Sequence, residues 1–560
     1  MALPPPISQQ AADAQISELF AVAQALQAER RPAHALPILA HLATLHPSRS
    51  DLRFAHVAVL AEAGRTLEAL RQLNALKQRG FTPELLTTIQ AQAEAAVAVF
   101  NAYLARNQIA EAEQIAAALA ELMPHNAALL KAARSCNDAL GRPEQSKRYA
   151  EAIVAVAPDD REARAALADL LHGAGELGPE IEHRVALALS PPTDQHGLVT
   201  LRDLHDAAGL ILCRPLTPTS RAQLDALLGA ARSLDVQTPP GTEWEAWVRH
   251  YSMLIDALDM DLALTPPAPR PIGKIEMMAA TGETLDWKSL CAKADGLDAR
   301  CVFFAAADEA YVDLYARWYA LSVKRYADVP FLAVIHVIGG KGALKAIAAK
   351  VGVNDPRLVF TADDFDPASA TTKIYDAPPK TWTEKPVAHL QSVRFQRIGA
   401  LMAKLKRPVF VSDIDLILQR GVEDLLAAHG GDDVVLNENE LSFNAGSRTT
   451  ANLLLLNPTK PALAFVDAVA AYLDDRLARP AVTRWIDQVA LTLARHNLQA
   501  NSPGAKIGYF DTKSDINNVM YQSYQDHPFR FLSLFHGFDT SSLEDDPRVL
   551  GEGASAASAA

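Results

Sequence analysis

Two carboxylates, Asp413 and Asp415, close an apolar run in the stretch RPVFVSDIDLIL, residues 407–418. A charged carboxylate is costly to bury unless it is paired, hydrogen-bonded or bound to a cation. A buried strand that ends in two of them therefore needs a partner for both. Being two residues apart on extended chain, they project to one side while Ile414 turns to the other. Paired oxygen ligands of this kind suit a hard divalent cation, Mg2+ or Mn2+.

The acids can act only if a fold holds them at the end of a strand. At 560 residues and 49% hydrophobic composition, the chain exceeds what one core usually supports, so two or three domains are expected. The net charge of -13 and pI near 5.7 argue against a nucleic-acid protein, whose footprint is a concentrated basic surface. Cys136, Cys213, Cys291 and Cys301 form no CxxC pair and have no His at metal-ligand spacing, so the sequence suggests neither a zinc site nor a disulfide framework. The start MALPPPISQQ lacks a basic and then apolar leader pattern, and no run of about 18 uncharged apolar residues occurs. A cytoplasmic protein without a membrane span is expected.

The first third, residues 1–178, is Ala/Leu/Glu-rich with helical periodicity and carries a repeat. Pro124 and Pro158 lie 34 residues apart, and Gly141 and Gly175 each follow their proline by 17. Asn107 falls 34 before Gly141, where a turn needs a residue tolerant of positive φ. Pro47 and Gly64 repeat the offset of 17 upstream, out of phase by nine residues. This resembles a degenerate tetratricopeptide repeat array, a stack of helix pairs with a 34-residue period. Such arrays present a curved surface that takes a peptide or protein partner; a spacer or dimerisation role is the alternative.

Residues 179–272 read as an irregular helical middle region that ends in the Pro-rich connector TPPAPRPIG. From 273 to 545 the texture changes to β-branched runs alternating with helices: RCVFFAAAD, VPFLAVIHVIGG, RLVFTADDF and RPVFVSDIDLIL with helical stretches between. This predicts an α/β, Rossmann-like domain with a mostly parallel sheet and its ligands beyond the carboxyl ends of the strands. The tail, 546–560, is small-residue low complexity and reads as disordered.

The strand followed by Asp-x-Asp, the preceding helix QSVRFQRIGALMAKLKRP, and the later VVLNENE and TANLLLLNPT together resemble the GT-A nucleotide-sugar glycosyltransferases in a glycogenin-like arrangement, over roughly 300–540. The resemblance implies Mn2+ or Mg2+ held by Asp415 against the donor diphosphate, with Asp413 on the ribose, sugar or metal. It implies His536, in FLSLFHGFD, as a third ligand. Donor contacts carry over to Ala306, Asp308 and Tyr311 in FFAAADEAY, to Arg394 and Arg397, and to Ala451 and Asn452, where the family often has Ala-Gly. Asp487 and Gln488 in RWIDQVALTLA match the family's Asp-Gln contacts to sugar and acceptor, with Trp485 as a stacking face. Plainer roles stay open: Asp308 and Asp487 as helix caps, the arginines in surface ion pairs, Asn452 as a turn cap, His536 as structural.

The expected function is thus metal-dependent transfer of a sugar from a nucleotide-diphosphate donor to a protein or glycan acceptor, with the repeats binding acceptor or partner. The alternative is a non-catalytic adaptor with an inactive transferase-like domain. A phosphatase-like reading of the Asp-x-Asp fails because Leu416 and Ile417 follow where Gly-Thr or Gly-Val is needed. No strand-linked GxGxxG and no GxxxxGK[ST] occurs, so dinucleotide and P-loop readings lack their phosphate loops.

Overall fold

The computed structural model describes residues 9–80, 82–190, 198–234, 243–258, 274–366, 369–370, 372–375, 382–383, 387–439, 442, 445–516 and 529–534. The chain divides into two compact units, Met1–Leu187 and Ala188–Ala560.

The first unit is a helical repeat array of tetratricopeptide-like pattern. Its helices are α1 Gln9–Ala28, α2 Pro32–Leu45, α3 Ser50–Glu62, α4 Thr66–Lys77, α5 Pro83–Ala105, α6 Ile109–Leu122, α7 Ala127–Ala139, α8 Pro143–Val156, α9 Arg161–Gly173 and α10 Leu177–Ala188. Arg30, Gly64, Asn107, Gly141 and Gly175, at the turns inside successive hairpins, all have positive φ. Five residues after each of them stands a buried side chain; the first four, Ala35, Ala69, Ala112 and Ser146, are small and let the paired helices approach closely, while the fifth, Glu180, accepts from Arg184 Nε at 2.8 Å. The nine-residue phase break lies at α5, which runs 23 residues against 13 for α7. Asn126 and Asp160, 34 apart, cap α7 and α9 by accepting from backbone N–H groups.

The second unit opens with α11 Leu198–Ile211, α12 Pro218–Ser233 and α13 Glu243–Ala257. Residues 179–272 are therefore not one block: α10 belongs almost wholly to the first unit and α11–α13 to the second. There follow β1 Glu276–Ala279, β2 Thr284–Leu285, α14 Trp287–Gly296, β3 Cys301–Asp308, α15 Glu309–Tyr326, β4 Phe331–Ile338, α16 Leu344–Val351, β5 Leu358–Ala362, β6 Lys373–Tyr375, β7 Trp382–Thr383 and α17 Val387–Leu405. The remainder is β8 Val409–Ser412, β9 Leu416–Leu418, α18 Glu423–Ala428, β10 Val434–Glu438, α19 Ala445–Arg448, β11 Thr449–Leu456, α20 Lys460–Leu477, β12 Ala481–Thr483, α21 Ile486–Asn501, β13 Ile507–Tyr509 and β14 Phe531–Ser533.

Nine of these strands form one mixed sheet in the order β13-β10-β11-β8-β3-β4-β5-β1-β2. The centre, β8-β3-β4-β5, is parallel, while β11 and β1 run antiparallel to their inner neighbours. Strand β3 is buried on both faces, as a central parallel strand should be. Phe303 and Ala305 share a core with Tyr315 and Tyr319 of α15, and α17 also packs on β3. From β3 the chain steps through β4 to β5 on one side and returns to β8 on the other. The reversal of strand order falls between β3 and β8, the place where sheets of this class take ligands beyond the carboxyl ends of their strands.

Candidate functional site

Asp308 ends β3 and Asp413 directly follows β8, so both stand at the carboxyl ends of the two strands that flank the switch point. Asp308 caps α15 by accepting from the N–H of Tyr311 at 2.9 Å, the plainer of its two expected roles. Ala306, two residues earlier, is buried and pairs with His336 across the β3–β4 ladder. Ile414 is buried in the core while Asp413 and Asp415 keep some exposure, which is the alternation expected of Asp-Ile-Asp. The backbone fixes both acids. Asp413 N donates to Asn452 O at 3.1 Å, and Asp415 O accepts from Leu534 N at 2.9 Å.

Arg394 of α17 is the cation at the centre. It is 5% exposed, ion-pairs with Asp413 through Nη1, and places Nη2 3.3 Å from Asp487 Oδ2. Burial disfavours its charge and Asp487 and Asp415 favour it; a guanidinium stays protonated in proteins. Asp487 comes from the first turn of α21, which starts at Trp485 with φ 59. A bulky residue in the left-handed region is strained, and here it turns the chain from β12 so that α21 begins at the site. Arg484 lies over the Trp485 ring, 4.9 Å from its centroid.

Three carboxylates thus face one guanidinium. Burial pushes the Asp415 carboxyl up to about 6, with Arg394 opposing. Burial raises Asp487 in the same way, again against Arg394. Asp415 Oδ1, Asp487 Oδ1 and Gln488 Oε1 are closed off from solvent and find no hydrogen-bond donor among the described residues. Tyr311 and Tyr315 are raised first by burial and then by the charge of Asp415, which places both rings within the field of that acid.

Arg394 and Arg397 leave α17 toward different acids. Arg397 donates to Asp363 Oδ2 through Nη2 at 2.6 Å and Nε at 3.1 Å. Asp363 also accepts from the N–H groups of Gly339 and Phe365 and lies 3.2 Å from His336 Nε2. Burial opposes its ionisation, but these donors outweigh it and hold the carboxyl well below the usual range. Asp363 was not singled out in the sequence, although it ends the buried run RLVFTAD just as Asp413 ends PVFVS. Ala451 is buried, and Asn452 Oδ1 accepts from Asn437 Nδ2 at 2.8 Å and Thr450 Oγ1 at 3.0 Å. His536 lies outside the described residues. Among the described residues, no group of three or more His, Cys, Asp and Glu side chains is set to hold a metal ion.

The Asp413 and Asp415 pair still offers oxygen ligands of the kind a hard cation takes, in a cluster rich in acid. Ionised Asp413, Asp415 and Asp487 carry three negative charges against one positive charge on Arg394, and Asp415 Oδ1 is an orphaned buried acceptor among the described residues. A divalent cation bound by oxygen would balance both deficits.

No family model matches the chain. No curated protein matches it either. Among solved structures, the chain is similar to a thermophilic TPR protein of Thermus thermophilus at 19% identity and TM-score 0.16, covering 35% of this chain and 99% of that one. It is similar to Pseudomonas aeruginosa PilF at 16% identity and TM-score 0.20, covering 41% and 95%. It is also similar to the galactosyltransferase LgtC, solved with donor and acceptor sugar analogues, at 14% identity and TM-score 0.29, covering 42% and 87%. Scores this low establish no common fold over the chain, so the architecture rests on the helix period and strand order above.

Proposed function

We propose that the second unit is a divalent-metal-dependent glycosyltransferase that moves a sugar from a nucleotide-diphosphate donor, and that the repeat array binds the acceptor or a protein partner. The observation that carries this reading is the unbalanced acid cluster, Asp413, Asp415 and Asp487 against Arg394, at the switch point of the sheet. Asp413 and Asp415 would hold Mn2+ or Mg2+, with His536 as the proposed further ligand. When bound, the cation supplies charge neutralisation for the departing diphosphate.

The chain's own groups do the rest. The junction of β3 and α15, from Ala306 through Asp308 to Tyr311, would wall the nucleotide side. Arg394 and Asp487 face the sugar, where the acceptor oxygens of Asp487 and Gln488 can receive hydroxyl hydrogens. Asn452 and Ala451 line the same end of the sheet from β11. Arg397 holds Asp363 and so steadies α17 behind Arg394.

The test is release of nucleoside diphosphate from a panel of UDP-, GDP-, ADP- and CDP-sugars, with and without Mn2+, followed by phosphorus NMR. Metal-dependent release from one donor supports the reading; none from any donor, with the protein folded, favours the non-catalytic adaptor.

A further inference from the structure

Arg394 touches two acids whose surroundings differ. The Asp487 side chain is 4% exposed and that of Asp413 is 35% exposed, so one arm of the guanidinium is sealed and the other meets solvent. Arg394 Nε has no hydrogen-bond partner among the described residues, and the guanidinium carbon sits 4.8 Å from the centroid of the Phe395 ring. The head group is therefore held by its two acids and by the ring rather than by a full set of hydrogen bonds. Asp413 cannot shift its backbone to escape the pair, because its N–H is fixed to Asn452. A cation arriving from solvent reaches Asp413 first and meets a positive charge already there.

We propose that Arg394 is a built-in counter-ion that the divalent cation displaces from Asp413, leaving the guanidinium to Asp487. This rests on the metal-dependent reading above. The exchange moves no covalent bond. It swaps one cation for another on the exposed acid, and the displaced guanidinium stays beside the buried acid that faces the sugar. Cation loading and the sugar side of the site are thereby coupled through one residue. Its cost is a weaker cation site, since a like charge stands within reach of the metal. Its gain is a cluster that never holds three uncompensated acids when empty.

The experiment is a calorimetric titration of Mn2+ into the full-length protein, alone and with UDP, GDP, ADP or CDP. Arg394→Gln removes the competitor and is expected to tighten Mn2+ binding by about tenfold. That variant leaves two acids unpaired and can fail to fold, so the double variant Arg394→Gln/Asp487→Asn is measured beside it. Removing both partners of a buried pair is far milder than removing one. The double variant has the same net charge as the wild type, so if charge count alone set the affinity the two would bind Mn2+ equally. We expect the double variant to bind more tightly than the wild type. Equal or weaker binding, with Asp415→Asn abolishing it in the same assay, overturns the counter-ion role and leaves the metal site standing. Wild-type protein that takes up no Mn2+ under any of these conditions overturns both.

Discussion

The N–H of Asp413 donates to the carbonyl of Asn452 at 3.1 Å, one step beyond the last paired residues of the β8–β11 ladder. The first acid of the pair is thus built into the sheet. The second is tied through its carbonyl to Leu534. Because main-chain bonds set the path, side-chain replacements here should change chemistry and leave the fold.

Asp415→Asn is expected to lower donor turnover by at least ~100-fold, the scale of losing a charge-stabilising ligand. Its metal-free melting temperature should be no lower than that of the wild type. One oxygen of the carboxylate it removes, Oδ1, is closed off from solvent and finds no partner among the described residues, so the ionised form costs the metal-free fold rather than supporting it. Paired activity and thermal-melt measurements check both halves. A variant that keeps full turnover contradicts the metal role of Asp415.

His496, on α21, is buried and its Nε2 donates to Leu212 O at 2.7 Å, joining α21 to the end of α11. Burial first, then the charge of Arg495, push its pKa from 6.5 down to about 3, with the Leu212 carbonyl opposing. Between those values the unfolded chain takes up a proton that the folded one refuses, so stability falls as pH drops below 6.5. The slope is about 1.4 kcal/mol per pH unit from this group. Denaturation midpoints from pH 7.5 to 5 should show it, and His496→Gln should flatten it.

Trp485 carries the left-handed backbone that starts α21. Truncation to Ala and to Gly removes the same ring packing against Arg484, but only Gly is at ease at φ 59. Trp485→Gly should therefore be about 1 kcal/mol more stable than Trp485→Ala. Chemical denaturation of the two variants measures the difference; an Ala variant equal to Gly would deny the strain.

In the array, Arg30 occupies the turn position that Gly64, Gly141 and Gly175 fill elsewhere. Arg30→Gly should stabilise the first hairpin by up to about 1 kcal/mol, and Gly141→Ala should cost a similar amount. The glycine change is a clean backbone test, because a Cβ at Gly141 meets no atom within 4 Å. Urea titration of the full chain, followed by helical signal, reads both.

The two-part architecture was legible in the sequence because each part has a strong periodic signature. The 34-residue markers land on turn residues with positive φ, and the alternating runs became the central parallel strands. The nine-residue phase break is the long helix α5, whose extra turns no turn residue announces. The Asp-x-Asp could be placed because a buried strand ends in charge. The same argument would have found Asp363. What spacing cannot show is which face a side chain takes once its helix is docked. Arg394 and Arg397, three apart, went to different acids, and Arg394 joined Asp413 to Asp487 across 93 residues of sequence on the Asp487 side. The attachment of α11–α13 to the second unit was hidden for a similar reason. Much of it runs through backbone carbonyls, Leu212 to Arg495 and His496 and Ala257 to Tyr472, which carry no sequence mark, beside the ion pairs of Asp256 with Arg476 and Arg479.

The most direct measurement is a thermal-shift titration of the full chain against nucleoside diphosphates and nucleotide sugars, with and without Mn2+, in the wild type and in Asp415→Asn. A ligand that binds only the folded state raises its stability by mass action, about 2.7 kcal/mol at a hundredfold excess over Kd. Stabilisation by one nucleotide class that requires Mn2+ and disappears in Asp415→Asn is the expected result. No shift with any nucleotide, or a shift that Asp415→Asn retains in full, would contradict it.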